Sequence, residues 1–352
     1  MRRARWWWVG GGGVVAVAAV VGVAGSVLYA RLDGNITADE AAARELARYE
    51  KERPSPLVEG AQNVLLIGSD SRGGGGNERA DSMILLHLAA RRESATAVSL
   101  PRDLMVQVPG CLKADGTRSS PSFAMLNHAF QVGGSACAIR TVEELTGIRV
   151  DHHVVVDFQG FKEMVDAVDG VEVCLAEPVD DRAAKLRLPA GKVTLNGEQA
   201  LGFVRARKSL GDGSDTDRMD RQQRFLAALV DKVWSNGVLL NPVKLYPVLD
   251  AATSSVTADP ELAGLRGMYE LVRGLREIPT DRVQFLTVPR ESYVYNTNRD
   301  QLVQPAAGKL FGRLRADLPV AVGSAPQSYG HGVRMPATPL YRGGTAATQR
   351  CE

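Results

Sequence analysis

The globular part of the chain starts abruptly at Asn63. There an unbroken apolar run, Val64-Leu65-Leu66-Ile67-Gly68, has the character of a strand covered on both faces. Met83 to Ala90 and Ala95 to Leu100 are two further runs of this kind. Helical spacing follows over Ala136–Thr146 and Phe158–Val168, with strands predicted at His152–Val156 and Val171–Leu175. Gly197 to Leu201 reads as a short helix before Phe203-Val204, from which strand spacing is expected to continue through Arg207. Arg218–Trp234 is the clearest amphipathic helix; Leu262–Glu277 reads as another helix and Val283–Val288 as a late strand. Strands alternating with helices predict an α/β domain over residues 62–320, a central mixed β-sheet flanked by helices on both faces in an α/β/α arrangement.

On either side the pattern changes. Trp6 to Ala30 carries no charge and follows Met-Arg-Arg-Ala-Arg. As a helix that run would reach ~37 Å, enough to cross a hydrocarbon core of ~30 Å. Arg2, Arg3 and Arg5 place residues 1–5 in the cytoplasm and everything after Ala30 outside. The expectation is a single-pass cell-membrane protein with a transmembrane signal-anchor at 6–30; a cleaved signal peptide is the alternative, and both export the chain. Residues 31–61 are polar and Ala-rich. Thr37-Ala38-Asp39-Glu40 reads as a capping box opening a helix to about Glu52, stopped by Pro54 and Pro56, as in a stalk. Residues 321–352, rich in Gly, Pro, Ser and Thr without periodicity, are expected to be disordered.

Composition narrows the classes. A 45% hydrophobic and 23% charged chain excludes wholesale disorder, and 42 basic against 40 acidic residues, net +2, argues against a nucleic-acid binder. An exported chain can form disulfides. Cys111 and Cys137 bracket a loop-like stretch and form the preferred pair, with unpaired cysteines as the alternative. The sequence holds no GxxxxGK[ST], HExxH or GxSxG, and its five histidines form no metal-spaced cluster. His152 and His153, adjacent in a strand, point to opposite faces.

What remains is arginine and aspartate at element ends. Asp70 and Arg72 follow the first strand, Arg79 and Asp81 precede the second, and Arg102 and Asp103 close the third. Ligands of open α/β sheets bind beyond the carboxyl ends of strands. Read as a strand, Val204–Arg207 turns Arg205 and Arg207 to one face. On the following helix Arg218, Gln222, Phe225 and Leu229 share a face, with Arg221 beside them. A solvated helix pairing Arg218 and Arg221 with Asp215, Asp217 and Asp220 would explain that helix alone. Arginines at several strand ends as well point to a phosphate, because guanidinium forks match phosphate oxygens and a helix N-terminus attracts anions. Asp70 and Asp81, with few histidines nearby, suit a hard cation such as Mg²⁺ (or Mn²⁺) held partly by substrate phosphates, or else simple Asp–Arg pairs.

These residues resemble the LytR-CpsA-Psr family of membrane-anchored cell-wall transferases. The resemblance rests on Leu66–Arg72, Arg79–Met83, Ser99–Asp103, Leu126–Ala129 with Gly133-Gly134, Val155–Phe158 with Gly160-Phe161, Leu195–Leu201, Arg205–Arg207 and Asp215–Gln222. It implies transfer of a phospho-glycopolymer from a polyprenyl diphosphate carrier to a peptidoglycan acceptor, forming a phosphodiester. By motif, Arg72, Arg102, Arg205, Arg207, Arg218, Arg221 and Gln222 would grip the diphosphate and Asp70 with Asp81 would hold Mg²⁺. Phe225 and Leu229 would line a polyprenyl tunnel, Asn127 and His128 would orient, and Arg79 and Asp103 would contact substrate, Asp103 being a candidate base. Asp169, where relatives usually have paired glycines, and Asp217, where a glycine is common, depart from the pattern. A lipid-diphosphate hydrolase and a non-catalytic polyprenyl-phosphate or wall-polymer binder are the competing readings.

Overall fold

The computed structural model describes residues 23, 25–56, 58–70, 80–182, 184–206, 215–235, 242–323 and 340–347. Its first elements are α1 (residues 25–35), β1 (Thr37–Ala38) and α2 (Glu40–Arg48). Asp39 caps α2, its carboxylate accepting from Ala42 N at 2.9 Å. The face so aligned puts Ala42 and Leu46 into the main hydrophobic core. Beyond α2, Arg53 is held by Glu143 at 2.8 Å and donates to the Val150 carbonyl at 2.6 Å, with both side chains of the ion pair at most 10% exposed. The segment expected to be a stalk is therefore welded to the domain: its polar composition hides a narrow apolar stripe and one buried ion pair. Most of the expected span 6–30 lies outside the described residues. Among the described residues no helix is long and apolar enough to cross a membrane.

The three apolar runs become β2 (Gln62–Ser69), β3 (Ala80–Leu88) and β4 (Ala95–Leu100). Then come the hairpin β5 (Met105–Val108) and β6 (Ser122–Met125), α3 (Leu126–Thr146), β7 (His152–Asp157) and α4 (Phe158–Ala167). A smaller layer holds β8 (Val171–Leu175), β9 (Val179–Asp181), β10 (Leu186–Leu188) and β11 (Gly191–Leu195), followed by α5 (Gly197–Arg205) and α6 (Asp215–Ser235). The chain continues through α7 (Pro242–Ser254), β12 (Val256–Ala258), α8 (Leu265–Arg276), β13 (Val283–Thr287), β14 (Arg290–Tyr293) and β15 (Asn296–Leu302). It closes with α9 (Ala306–Arg315), β16 (Ala321–Gly323) and β17 (Leu340–Thr345).

The main sheet has the order β1-β12-β7-β2-β3-β4-β13-β17-β16 and is mixed, with β2 parallel to β7 but antiparallel to β3. Strand alternation divides the apolar runs between two cores. Leu65, Ile67, Met83 and Leu85 face α2, α3 and α9, whereas Val64, Leu66, Ile84 and Leu86 face α6 and α8. Covering both faces explains why these strands read as continuous rather than alternating hydrophobic runs. A third cluster lies between α4, α5, α6 and the β8–β11 layer.

Three local features depart from or sharpen the sequence reading. Helix α5 runs to Arg205, so Val204–Arg205 is not strand: the Asn196–Gln199 capping box starts a helix that nothing before Arg205 stops. Helix α3 begins ten residues earlier than its periodicity indicates, at Leu126, and is broken at Gly133 and Gly134. A Cβ on Gly133 would meet Cys137 Cβ at 2.8 Å and Cys111 Cβ at 2.9 Å, where the expected Cys111–Cys137 disulfide closes. Asp169 and Gly170 both take left-handed backbone, at φ of 60° and 78°, so the departure from paired glycines is accommodated in the same turn.

The tail expected to be disordered contributes two strands. Beyond residues 324–339, outside the described set, β17 pairs with β13 and its Tyr341 is 1% exposed in the main core. A Gly-rich strand, Leu-Tyr-Arg-Gly-Gly-Thr, carries too little apolar signal to be read alone, but Gly343 permits the approach: a Cβ there would lie 2.1 Å from the Phe285 carbonyl.

Two outcomes follow. Glu143→Ala leaves the buried Arg53 with only the exposed Glu50, at 3.6 Å, as counter-ion, and is expected to cost roughly 3–5 kcal/mol in urea unfolding; a loss under 1 kcal/mol would return residues 49–61 to the status of a linker. The second concerns His152, whose Nδ1 lies 3.2 Å from Asp259. The hydrogen bond to Asp259 raises the His152 pKa against the opposing effect of burial. A raised folded-state value makes this stabilisation fully present below about pH 6.5 and lost as pH rises through the folded pKa. Asp259→Asn should lower the His152 pKa in an NMR titration and remove that part of the pH dependence of stability.

Candidate anion-binding site

Sheet topology gathers the charged element ends. Because β3 is antiparallel to both β2 and β4, the end of β2, the start of β3 and the end of β4 share one edge. Asp70, Asp81, Arg102 and Asp103 are therefore neighbours. Arg102 donates from Nη1 to Asp81 Oδ1 at 2.6 Å and from Nε to Asp103 Oδ2 at 3.5 Å. Its carbonyl accepts from Asn127 N at 3.0 Å, so Asn127 at the start of α3 fixes the backbone that carries Arg102.

Helices α5 and α6 close the other side. Arg205, the last residue of α5, brings Nη2 to 3.7 Å from Asp81 Oδ2 and 3.8 Å from Asp70 Oδ2, its guanidinium 4.5 Å from the Phe158 ring centroid. Arg218 and Arg221 are each only 5% exposed. Arg221 donates to the Ala206 carbonyl and Gln222 to the Val204 carbonyl at 3.2 Å, which binds the first turns of α6 to the end of α5. Gln223, on the sheet side of α6, donates to Ser99 Oγ at 3.2 Å and Thr287 Oγ1 at 3.0 Å, anchoring α6 on β4 and β13.

Between these groups lies a cavity of about 600 Å³. Asp81, Arg102, Arg205, Arg218 and Gln222 line it on the sheet and α6 side; Asp181, Lys185 and Glu198 line it from the β9–β10 hairpin and α5. Four cations converge on a pocket with a low-dielectric sheet end beneath it, an arrangement suited to a multiply charged anion.

Several expected residues come together and others do not. Asp70, Asp81, Arg102, Arg205, Arg218 and Gln222 meet at or beside the cavity, with Arg221 behind Arg205 at the Ala206 carbonyl. Arg72, Arg79 and Arg207 lie outside the described residues, as do the side chains of Asp215 and Asp217. Phe225, fully buried, packs on Phe161 with ring centroids 5.5 Å apart, and Leu229 is partly buried beside the same cluster. They form the floor of α6 in the third core and are not among the cavity-lining residues. Asp103 is held by Arg102 and by Arg299, the latter at 3.6 Å, so its oxygens are engaged by two guanidinium groups. Sequence reasoning missed Lys185, Asp181, Glu198 and Arg299. They reside on hairpins and helix starts whose composition resembles any polar surface, and only the fold brings them beside the pocket.

Among the described residues no group of three or more His, Cys, Asp or Glu side chains forms a metal cluster. Asp70 and Asp81, both facing Arg205, supply two hard carboxylate donors. That fits a cation such as Mg²⁺, which takes most of its ligands from phosphate oxygens and water.

Fold and cavity together define an α/β protein that presents an arginine-lined pocket at one edge of a mixed sheet. The LytR_cpsA_psr family model matches residues 31–315, and the chain belongs to this LytR-CpsA-Psr family. It is 40% identical over 210 residues to the probable cell wall biosynthesis protein LcpB of Corynebacterium glutamicum, covering 55% of this chain and 47% of that protein. It is 26% identical over 297 residues to the polyisoprenyl-teichoic acid–peptidoglycan teichoic acid transferase TagV of Bacillus subtilis, covering 83% of this chain and 72% of that protein. In LcpB the match spans about half of the relative's length. A LytR-Csp2A-Psr enzyme from Actinomyces oris has the same fold, with a TM-score of 0.60 at 23% identity over 74% of this chain and 93% of that one.

Arg205→Ala is expected to weaken binding of inorganic pyrophosphate at least about tenfold by calorimetry, since a charge-assisted hydrogen bond contributes roughly 1.5–3 kcal/mol. Arg205→Lys should fall between, having lost the planar fork. An unchanged Kd in Arg205→Ala would place the anion elsewhere.

Proposed function

We propose that this chain is a membrane-anchored transferase. It moves a phosphate-linked glycopolymer from a polyprenyl diphosphate carrier to a peptidoglycan acceptor outside the cell. The observation that carries the reading is the arginine pocket itself: Arg102 and Arg205 flank Asp81, and Arg218 and Gln222 complete the wall. Such a set recognises a compact polyanion, and the diphosphate of a lipid carrier is one. The family, and relatives named for teichoic acid transfer and cell wall biosynthesis, support the same substrate class.

The chemistry asked of these residues is positioning and charge neutralisation. An acceptor hydroxyl oxygen forms a bond to the sugar-proximal phosphorus. The bond from that phosphorus to the bridging oxygen breaks, polyprenyl phosphate leaves, and the hydroxyl proton passes to solvent. Arg102 and Arg205 hold the phosphoryl oxygens on which charge gathers, Arg218 and Gln222 hold the other phosphate, and Asp70 with Asp81 orient the arginines. Asp70 and Asp81 would hold Mg²⁺, which would supply further charge neutralisation when bound. Asp103, engaged by Arg102 and Arg299, is a positioning group in this scheme. The uncharged run 6–30 after three arginines supports a single-pass anchor with a cytoplasmic N-terminus.

Purified full-length protein with a polyprenyl-diphosphate-linked glycan, with and without peptidoglycan, provides the test. Covalent attachment of polymer to peptidoglycan, falling at least about a hundredfold in Arg102→Ala, is expected for removal of a group that stabilises the transition state. Quantitative release of free polymer with no attachment would make the protein a hydrolase. Normal turnover in Asp81→Ala with chelator present would remove the cation from the scheme.

A further inference from the structure

Hairpin β14–β15 ends in an exposed tip of unusual chemistry. From Ser292 to Asn298 the sequence reads Ser-Tyr-Val-Tyr-Asn-Thr-Asn, without a charge in a chain that is 23% charged. Tyr295 is 85% exposed and Val294 70%. The rings form a continuous ledge: Tyr295 lies 5.4 Å from Tyr293 in an edge-on contact, and Tyr293 lies 6.0 Å from Phe123 of β6, itself 49% exposed. Asn296, Thr297 and Asn298 are exposed alongside.

The ledge is continuous with the arginine site. Arg299, the next residue after this tip, reaches Asp103 at 3.6 Å, and Asp103 in turn holds Arg102. Backbone contacts repeat the link, with Asp300 N donating to the Asp103 carbonyl at 3.1 Å and a bridge between Leu104 and Asp300. Along β15, Asn296 to Arg299 covers ~10 Å, a span of roughly two sugar rings.

We propose that this ledge is a saccharide-binding surface that seats the acceptor glycan strand beside the diphosphate pocket. The inference rests on the transferase reading for the word acceptor, but not for the word saccharide. The C–H faces of pyranose rings carry slight positive charge and meet the negative faces of aromatic rings, while their hydroxyls pair with neutral amides and hydroxyls. Tyr, Asn and Thr side by side, exposed and uncharged, supply both kinds of contact. An anionic lipid surface calls for Lys and Arg, which the tip lacks.

The test measures binding of uncrosslinked, peptide-free peptidoglycan glycan chains to the full-length protein in detergent. The expected result is saturable binding that weakens at least about tenfold in Tyr295→Ala and in Tyr293→Ala and is retained within about twofold in Tyr295→Phe, which keeps the ring. In NMR spectra the amides of Tyr295 to Asn298 should shift with glycan. Equal binding by wild type and both Ala variants would overturn the proposal. So would absence of glycan binding together with Tyr295-dependent binding to phosphatidylglycerol vesicles, or Tyr295-dependent self-association in sedimentation. Donor cleavage is assayed separately on the wild-type protein. Cleavage without glycan binding sinks the ledge and leaves the transferase reading, whereas ring-dependent glycan binding without any donor cleavage does the reverse.

Discussion

Asp81 sits between two guanidinium groups, Arg102 from the end of β4 and Arg205 from the end of α5. Without a carboxylate there, these cations, together with the buried Arg218 and Arg221, would repel one another beside a low-dielectric sheet edge. Burial of like charges is among the costliest arrangements a fold can hold. Asp81 relieves that cost across the seam between the main sheet and the smaller layer, so the same ion pairs that keep the pocket open also tie α5 to the strand ends. The anchoring of α6 by Gln223 on Ser99 and Thr287 serves the same seam from the opposite side.

Carboxylates meet the arginines at distances of 2.6 to 3.8 Å, close enough to fix the guanidinium planes. An incoming polyanion therefore meets donors already oriented, and little side-chain entropy is lost when it binds. Preorganisation of this kind matters for phosphoryl transfer, where the protein's work is to hold charge in place as it redistributes.

The central sheet was legible because strands covered on both faces write unbroken apolar runs, and β2, β3 and β4 did so. The convergence of Asp70, Asp81, Arg102 and Asp103 was legible in their places at strand ends, because topology brings strand ends together whatever the loops between them do. The misread parts share a cause. In α5 the capping box was visible, but β-branched Val204 and the Arg-Ala-Arg alternation imitated a strand, and helix continuation is decided by packing on Leu186 and the third core. The stalk-like helix buries only two apolar side chains, Ala42 and Leu46, too few to signal docking, and the Arg53–Glu143 pair joins residues far apart in sequence. Strand β17 carries one large buried side chain, Tyr341, among glycines, so its pairing with β13 depends on tertiary contact alone. Long-range contacts of this type leave no periodicity to read.

Arg102 has neighbours on both sides, and this separates two demands on the site. Its Nη1 faces Asp81 and the cavity, whereas its Nε faces Asp103, which Arg299 holds from the β14–β15 hairpin. One planar guanidinium thus joins the cavity wall to the β14–β15 flank. Lysine could satisfy either partner but not both, because a point charge has no fixed fork to span them. The flank hairpin is itself held to the β4–β5 segment by the Asp103–Asp300 backbone bond, so displacement of the hairpin would pull on Asp103 and, through it, on Arg102. The exposed flank and the part-buried Arg102 guanidinium are therefore joined through a short chain of polar contacts. Under the proposed transfer, which brings a lipid-borne anion and a polymeric acceptor to one phosphorus, such a link would matter more than a dedicated base.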